Sequence, residues 1–189
     1  MLNKKKIFKK IKNQKHFGEN IYLKKITHKN CDRKYLLWLK DKRINKYLET
    51  RCHPQTLESI RNFVTSCNKD NSVILFGIFK EKKHIGNIKI DINWFHGFCT
   101  LGYMVGDKNY QGRNIGTESI KICVNLCFKY FKSRSCYASV YSHNIASKKV
   151  LKKNGFKKVA EIKDMYKLKK NLFSNELIYR LYNSKFNSN

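Results

Sequence analysis

Along the chain the apolar positions switch between steps of two and steps of three or four, and the switches mark out strands and helices. Asn20 to Thr27 alternates enough to predict a strand, and Cys31 to Lys40 (CDRKYLLWLK) bunches its apolar residues at helical spacing. Thr56, followed by Glu58 and Ser59, opens a second helix through Phe63 and Val64. Ser72 to Phe79 (SVILFGIF) is a short apolar run suited to a buried strand. Ile88, Ile90, Ile92 and Trp94 then alternate with Asn87, Lys89, Asp91 and Asn93, the period of a half-buried strand. His96-Gly97 supplies a turn and Phe98 to Val105 a partner strand, so the two runs predict an antiparallel hairpin. Between Gly116 and Lys132 the residues Ile120, Cys123, Val124, Cys127, Phe128 and Phe131 form one apolar stripe of a long helix. Cys136 to Tyr141 returns to alternation, Ile145 to Lys153 is a short basic helix stopped by Asn154-Gly155, and Glu176 to Tyr182 closes the pattern as a strand. No internal repeat is found, and the pattern predicts one mixed α/β domain.

A length of 189 residues suits a single domain. Lys and Arg number 41 against 13 Asp and Glu, a formal charge of +28, which draws anionic partners: polyanions, anionic membranes or phosphorylated small molecules. The excess is spread along the whole chain, and the aromatic residues are not interleaved with the basic ones in a stacking pattern. A non-catalytic nucleic-acid-binding protein is therefore the lesser alternative, and no specific nucleic acid is expected as a partner. The opening MLNKKKIFKKIKNQKHFG holds seven Lys, no acid and few bulky apolar residues, so residues 1–18 are expected to be a disordered basic tail before a domain at 19–189. Seven cysteines, with no CxxC pair, suggest neither disulfides nor a metal site and fit a reducing cytoplasm. No apolar run reaches the roughly 18–20 residues of a membrane span, and no secretory signal opens the chain, so a cytoplasmic protein is expected.

The candidate chemistry begins at Tyr110-Gln111-Gly112-Arg113-Asn114-Ile115-Gly116-Thr117, between a strand and the long helix. A glycine-containing turn that feeds a helix N-terminus presents unpaired backbone N–H groups and the positive end of a dipole, which suits a pyrophosphate. Arg113 adds a fixed positive charge. The same residues also make an ordinary strand-to-helix loop in which glycine merely permits the bend. No GK[ST] follows and GxGxxG is absent, which excludes a Walker loop and a dinucleotide fingerprint.

The segment resembles the pyrophosphate loop of GNAT acetyltransferases, Q/R-x-x-G-x-G/A, with Gln111 and Gly116 at its first and last positions. Asn114 departs from the usual glycine, but Asn tolerates a positive φ best after Gly. A second block, N-x-x-A/S-x-x-x-Y-x-x-x-G-F, is matched by Asn144, Ser147, Gly155 and Phe156, with Leu151 where the family has tyrosine. The likeness spans about residues 20–182, and Ser147 with Leu151 looks like the branch of ribosomal-protein alanine acetyltransferases and nucleotide-aminosugar acetyltransferases.

The resemblance implies a largely antiparallel, splayed sheet flanked by helices and acetyl-coenzyme A as co-substrate; no metal is expected, and a homodimer is one assembly left open. It further implies that the strand Phe98 to Val105 pairs with pantetheine near Tyr103, Met104 and Val105, where a backbone N–H polarises the thioester carbonyl. The loop Gln111, Gly112, Arg113, Asn114, Ile115, Gly116 and Thr117 would hold the pyrophosphate. Asn144 would bond the pantetheine arm or cap its helix, or both, and Lys148, Lys149 or Lys152 would meet the 3′-phosphate. Ser147, on the same helix face as Asn144, inherits the role of protonating the departing thiolate. The carboxylate that the branch often carries in the pantetheine-pairing strand is Thr100 here, so the base is open: His96 in the hairpin turn, Asp91, His143 or none. The expected acceptor is an anionic small-molecule amine, a nucleotide-linked amino sugar, with a protein N-terminus as the competitor.

Overall fold

The structure, a computed structural model, describes residues 2–186. One sheet of eight strands runs in the order β1-β2-β3-β4-β5-β6-β8-β7. These are β1 (His16–Phe17), β2 (Tyr22–Lys25), β3 (Val73–Lys80), β4 (Lys83–Asn93), β5 (Phe98–Val105), β6 (Ser135–Tyr141), β7 (Lys157–Lys169) and β8 (Leu172–Tyr182). Every neighbouring pair is antiparallel except β5 with β6. The helices are α1 (Leu2–Asn13), α2 (Arg33–Lys40), α3 (Lys42–Asn45), α4 (Leu57–Lys69), α5 (Ile115–Lys129) and α6 (Ile145–Lys153). The hairpin and the elements that the sequence pattern marks out follow in the expected order, with α1, β1, α3 and β7 in addition, and among the described residues no helix is long and apolar enough to cross a membrane.

The sheet is covered on both faces, as the alternation of its strands requires. On one face the stripe of α5 (Ile120, Cys123 and Cys127) packs with Ile88, Ile90, Cys99 and Leu101, and Leu151 and Phe156 of the α6 region join the same cluster. On the other face Tyr35, Trp38 and Leu39 of α2 meet Ile60 and Val64 of α4 over Leu75. Thr56 starts α4 with a capping box, its side chain accepting from the Ser59 N–H at 3.0 Å.

Residues 1–18, expected to be a disordered tail, prove otherwise over the part described. Residues 2–13 form α1, whose Phe8 and Ile11 are buried in the same cluster as α5. Phe8 meets Trp94 edge-on at 5.9 Å and Phe131 at 6.3 Å between ring centroids. Lys12 is buried too, and its ammonium donates to the Cys67 and Asp70 carbonyls at 2.7 Å each, closing the C-terminus of α4. Burial pulls the Lys12 pKa down from its ordinary value. Phe8, Ile11 and the partly buried Ile7 suffice because the docking surface offers aromatic partners and carbonyl acceptors that no reading of the tail alone could supply. The strand β7 also escapes the periodicity, because it is an edge strand exposed along nearly all its length and held by backbone pairing to β8.

Candidate active site

The pairing of β5 with β6 is brief: Phe98 with Ser135, Cys99 with Cys136 and Thr100 with Tyr137. Beyond Thr100 and Tyr137 the two strands part, β5 staying with β4 and β6 with β8, so a wedge opens toward Val105 and Tyr141. The ladder shows which backbone groups face it. The Gly106 amide donates to the Ile85 carbonyl at 2.9 Å, and antiparallel alternation then turns Met104 and Gly102 toward β4. Leu101, Tyr103 and Val105 direct their N–H and C=O groups into the wedge, and the Val105 carbonyl accepts from the Gln111 side chain at 2.9 Å. Of the three β5 residues expected at the pantetheine, Tyr103 and Val105 meet the geometric requirement. Met104 does not, since its backbone is committed to Asn87 and its side chain packs with the α2 cluster.

The turn after β5 has the shape that an anion site needs. Gly112 takes φ 73° with open space around it, and Asn114 takes φ 59°, the left-handed conformation Asn tolerates. Asn114 gives α5 no side-chain cap. The first intrahelical bond runs from Glu118 N–H to the Asn114 carbonyl at 3.0 Å, so the N–H groups of Ile115, Gly116 and Thr117 lack helical partners. Glu118 would oppose an anion, yet its carboxylate is turned to the Asn20 and Ile21 amides at 2.8 and 3.3 Å. Ile115 is buried and anchors the turn, whereas Gln111, Gly112, Arg113 and Asn114 are exposed. Gly116 is needed for contact: a Cβ there would lie 2.6 Å from the Tyr103 ring.

The C-terminal part of α6 braces this turn. Asn154 donates to the Thr117 carbonyl at 3.1 Å, and Lys153 reaches the Asn114 side chain at 3.1 Å. At its other end Asn144 caps α6, its side-chain oxygen accepting from the Ser147 N–H at 3.1 Å, which leaves the amide nitrogen for a ligand. The Ser147 hydroxyl is half-buried and accepts a long bond, 3.4 Å, from the Tyr103 phenol. Burial raises the Tyr103 pKa, so the phenol stays a neutral donor. Leu151 is buried in the core and offers no substitute for the family tyrosine. Lys149 and Lys152 are exposed, whereas Lys148 is tied to the Ser142 carbonyl at 2.6 Å.

His96 is not brought to the wedge. Its carbonyl accepts from Arg134 at 2.9 Å in the turn before β5, on the side where β5 and β6 are still joined. At about 3.3 Å per strand residue, Tyr103 lies on the order of 20 Å further along. The open end holds side chains that the sequence did not single out. Tyr141 ends β6 in a stack with Tyr166 of β7, ring centroids 4.0 Å apart. The Tyr141 phenol donates to Glu49, the Tyr166 phenol donates to Glu176 at 2.8 Å, and Arg51 approaches Tyr141 at 3.4 Å. Burial and the Glu49 carboxylate push the Tyr141 pKa up to about 12. Among the described residues no group of three or more His, Cys, Asp or Glu could hold a metal ion.

Comparison with known proteins identifies the family and the fold. Residues 20–157 match the family described as "Acetyltransferase (GNAT) domain". No curated protein sequence matches the chain. Among solved structures, the ribosomal-protein α-N-acetyltransferase RimL with coenzyme A is similar, with a TM-score of 0.80 at 17% identity over 89% of this chain and 98% of that one. The microcin self-immunity acetyltransferase MccE, in complex with acetyl-CoA and AMP, gives 0.76 at 17% identity over 88% and 94%. A GNAT-family acetyltransferase from Bacillus anthracis gives 0.76 at 20% identity over 89% and 98%.

Proposed function

The chain belongs to the GNAT acetyltransferases, which use acetyl-coenzyme A, and we propose that its acceptor is a primary amine on an anionic small molecule, a nucleotide-linked amino sugar. The observation that carries the site assignment is the uncapped N-terminus of α5 beside the wedge between β5 and β6. The pyrophosphate sits on the N–H groups of Ile115, Gly116 and Thr117, with Arg113 adding charge. Pantetheine follows the wedge edge of β5, and the N–H of Tyr103 or Val105 polarises the thioester carbonyl as negative charge develops on its oxygen. The Asn144 amide donates to the pantetheine arm, and Lys149 meets the 3′-phosphate.

The amine, freed of its extra proton, attacks the carbonyl carbon; the C–N bond forms and the C–S bond breaks. Ser147 gives its proton to the departing thiolate, and the proton that the attacking nitrogen sheds on becoming an amide is returned through solvent to the serine oxygen, to which the Tyr103 phenol already donates. A net charge of +28 and the Arg51 guanidinium at the open end favour an acceptor that carries phosphate. The similarity to RimL favours a peptide α-amine as the competing acceptor.

A thiol-release assay with acetyl-CoA and three acceptors, a uridine-diphosphate amino sugar, spermidine and a short peptide with a free N-terminus, separates these possibilities. The sugar nucleotide should give the highest kcat/KM. Faster turnover of the peptide would overturn the acceptor assignment, and no thiol release from any of the three would overturn the catalytic one.

A further inference from the structure

The chain from α2 to Cys52 spans the mouth of the wedge. On the β5 side a Cβ at Gly106 would run into the Trp38 ring, Lys34 pairs with Asp107 at 3.0 Å, and Lys108 pairs with Asp41 at 2.7 Å. On the β6 side the Tyr47 phenol donates to the His143 carbonyl at 3.0 Å, and the 3₁₀ turn Glu49–Cys52 lies against Tyr141. The segment is thus fixed to both arms, and it carries an exposed carboxylate, Glu49, on the side chain of the last β6 residue.

Strand alternation separates two sides of the wedge. Ala138 and Val140 of β6 face the cluster that α5 and α6 share, and Ser147 belongs to that side with Tyr103. Tyr137, Ser139 and Tyr141 face the other way, as do Thr100, Gly102 and Met104 of β5. Ser139 and Gly102 are exposed there, and a Cβ built on Gly102 would meet nothing within 4 Å. An amine therefore has an open approach to the carbonyl from the face that bears Glu49, while the thiolate and Ser147 lie on the other. The separation across the sheet is short, because the Asn144 N–H bonds the Tyr141 carbonyl at 2.9 Å and Ser147 is in the first turn of α6 that follows.

We propose that Glu49 is the general base: it receives the acceptor's ammonium at the mouth of the wedge and takes its proton. This rests on the acetyltransferase reading above. The step balances as ammonium plus carboxylate giving amine plus carboxylic acid, after which the amine attacks and Glu49 returns its proton to solvent. Tyr141 is a positioning residue. Its phenol fixes one carboxylate oxygen, and its stack on Tyr166, itself anchored to Glu176, fixes the phenol. The charged and titratable groups around Glu49 are Arg51 and Cys52 on its own turn, Tyr141 on β6, His143 just after it, Tyr166 on β7 and Glu176 on β8.

The experiment compares the wild type with Glu49→Gln, using whichever of the three acceptors above turns over fastest, from pH 7 to pH 9.5. A positioned base contributes roughly 10²–10⁴-fold, so kcat/KM for the amine should fall by about 100-fold at pH 7. The KM for acetyl-CoA should stay within about twofold. Free amine in solution grows about tenfold per pH unit only below the amine's own pKa, about 8 for a peptide α-amine and about 10 for an alkylamine such as spermidine, so by pH 9.5 the deficit should narrow to about tenfold for the former and to a few-fold for the latter. Tyr141→Phe keeps the stack and should lose activity only several-fold with the same narrowing. Equal thermal melts of the variants exclude unfolding, and Cys52→Ser with an unchanged profile excludes the thiol. A Glu49→Gln deficit that is constant with pH, or an unimpaired variant, would overturn the assignment while leaving the transferase intact. No turnover by the wild type with any acceptor would refute the transferase reading and this assignment with it.

Discussion

Truncating Phe8 to alanine tests whether α1 is part of the folded enzyme. The side chain is 2% exposed, sits between Trp94 and Phe131, and has the Lys12 ammonium 5.1 Å from its ring. Removing a buried phenyl costs about 3–5 kcal/mol when the cavity cannot collapse. At about 2–4 °C per kcal/mol for a domain of this size, Tm should fall by roughly 6–20 °C. The helix offers an escape that limits the loss. If α1 undocks instead of enclosing a cavity, the cost stops at its docking energy and the far-ultraviolet signal of about one 12-residue helix melts first. Circular dichroism against temperature distinguishes the two, since undocking gives a separate low-temperature phase. A Tm within about 2 °C of the wild type, with no early phase, would refute the burial of Phe8 and return the segment to the solvent.

Ser147→Ala should lower kcat by at least about tenfold in pre-steady-state thiol release with little change in acetyl-CoA affinity, and an unchanged chemical step would reduce the serine to packing. Gly116→Ala places a methyl 2.6 Å from the Tyr103 ring, so it should cost about 1–3 kcal/mol in stability and weaken acetyl-CoA binding by calorimetry, because the α5 N-terminus must shift. The Tyr141 pKa is raised in the folded state to about 12, so its stabilising effect is complete below the unfolded tyrosine value near 10 and is lost as pH rises through 12. Melting temperatures of the wild type should therefore fall toward those of Tyr141→Phe over that interval, and a constant difference between the two would contradict the bond to Glu49.

Legibility in the sequence followed the distance over which each feature is determined. The α5 stripe, the left-handed Asn114 and the pairing of Asn144 with Ser147 are set by residues within one or two turns of each other, and each stands where its spacing puts it. Glu49 and Tyr141 are 92 residues apart, so no local pattern distinguishes that glutamate from any solvated surface acid. Lys12 likewise looked like one more exposed lysine, yet its acceptors are 55 and 58 residues away. His96, one of the candidate bases, shows the converse: its chemistry suits a base, but position along a strand decides whether a side chain reaches the wedge, and position depends on where β5 and β6 part. That point is set by two strands separated by the whole of α5, and the Cα pairing of Thr100 with Tyr137 is its last joined step. A base for this chain therefore has to be sought among residues at the open end. The carboxylate missing at Thr100 is replaced in effect by one carried on the segment that bridges the two arms, where the amine enters.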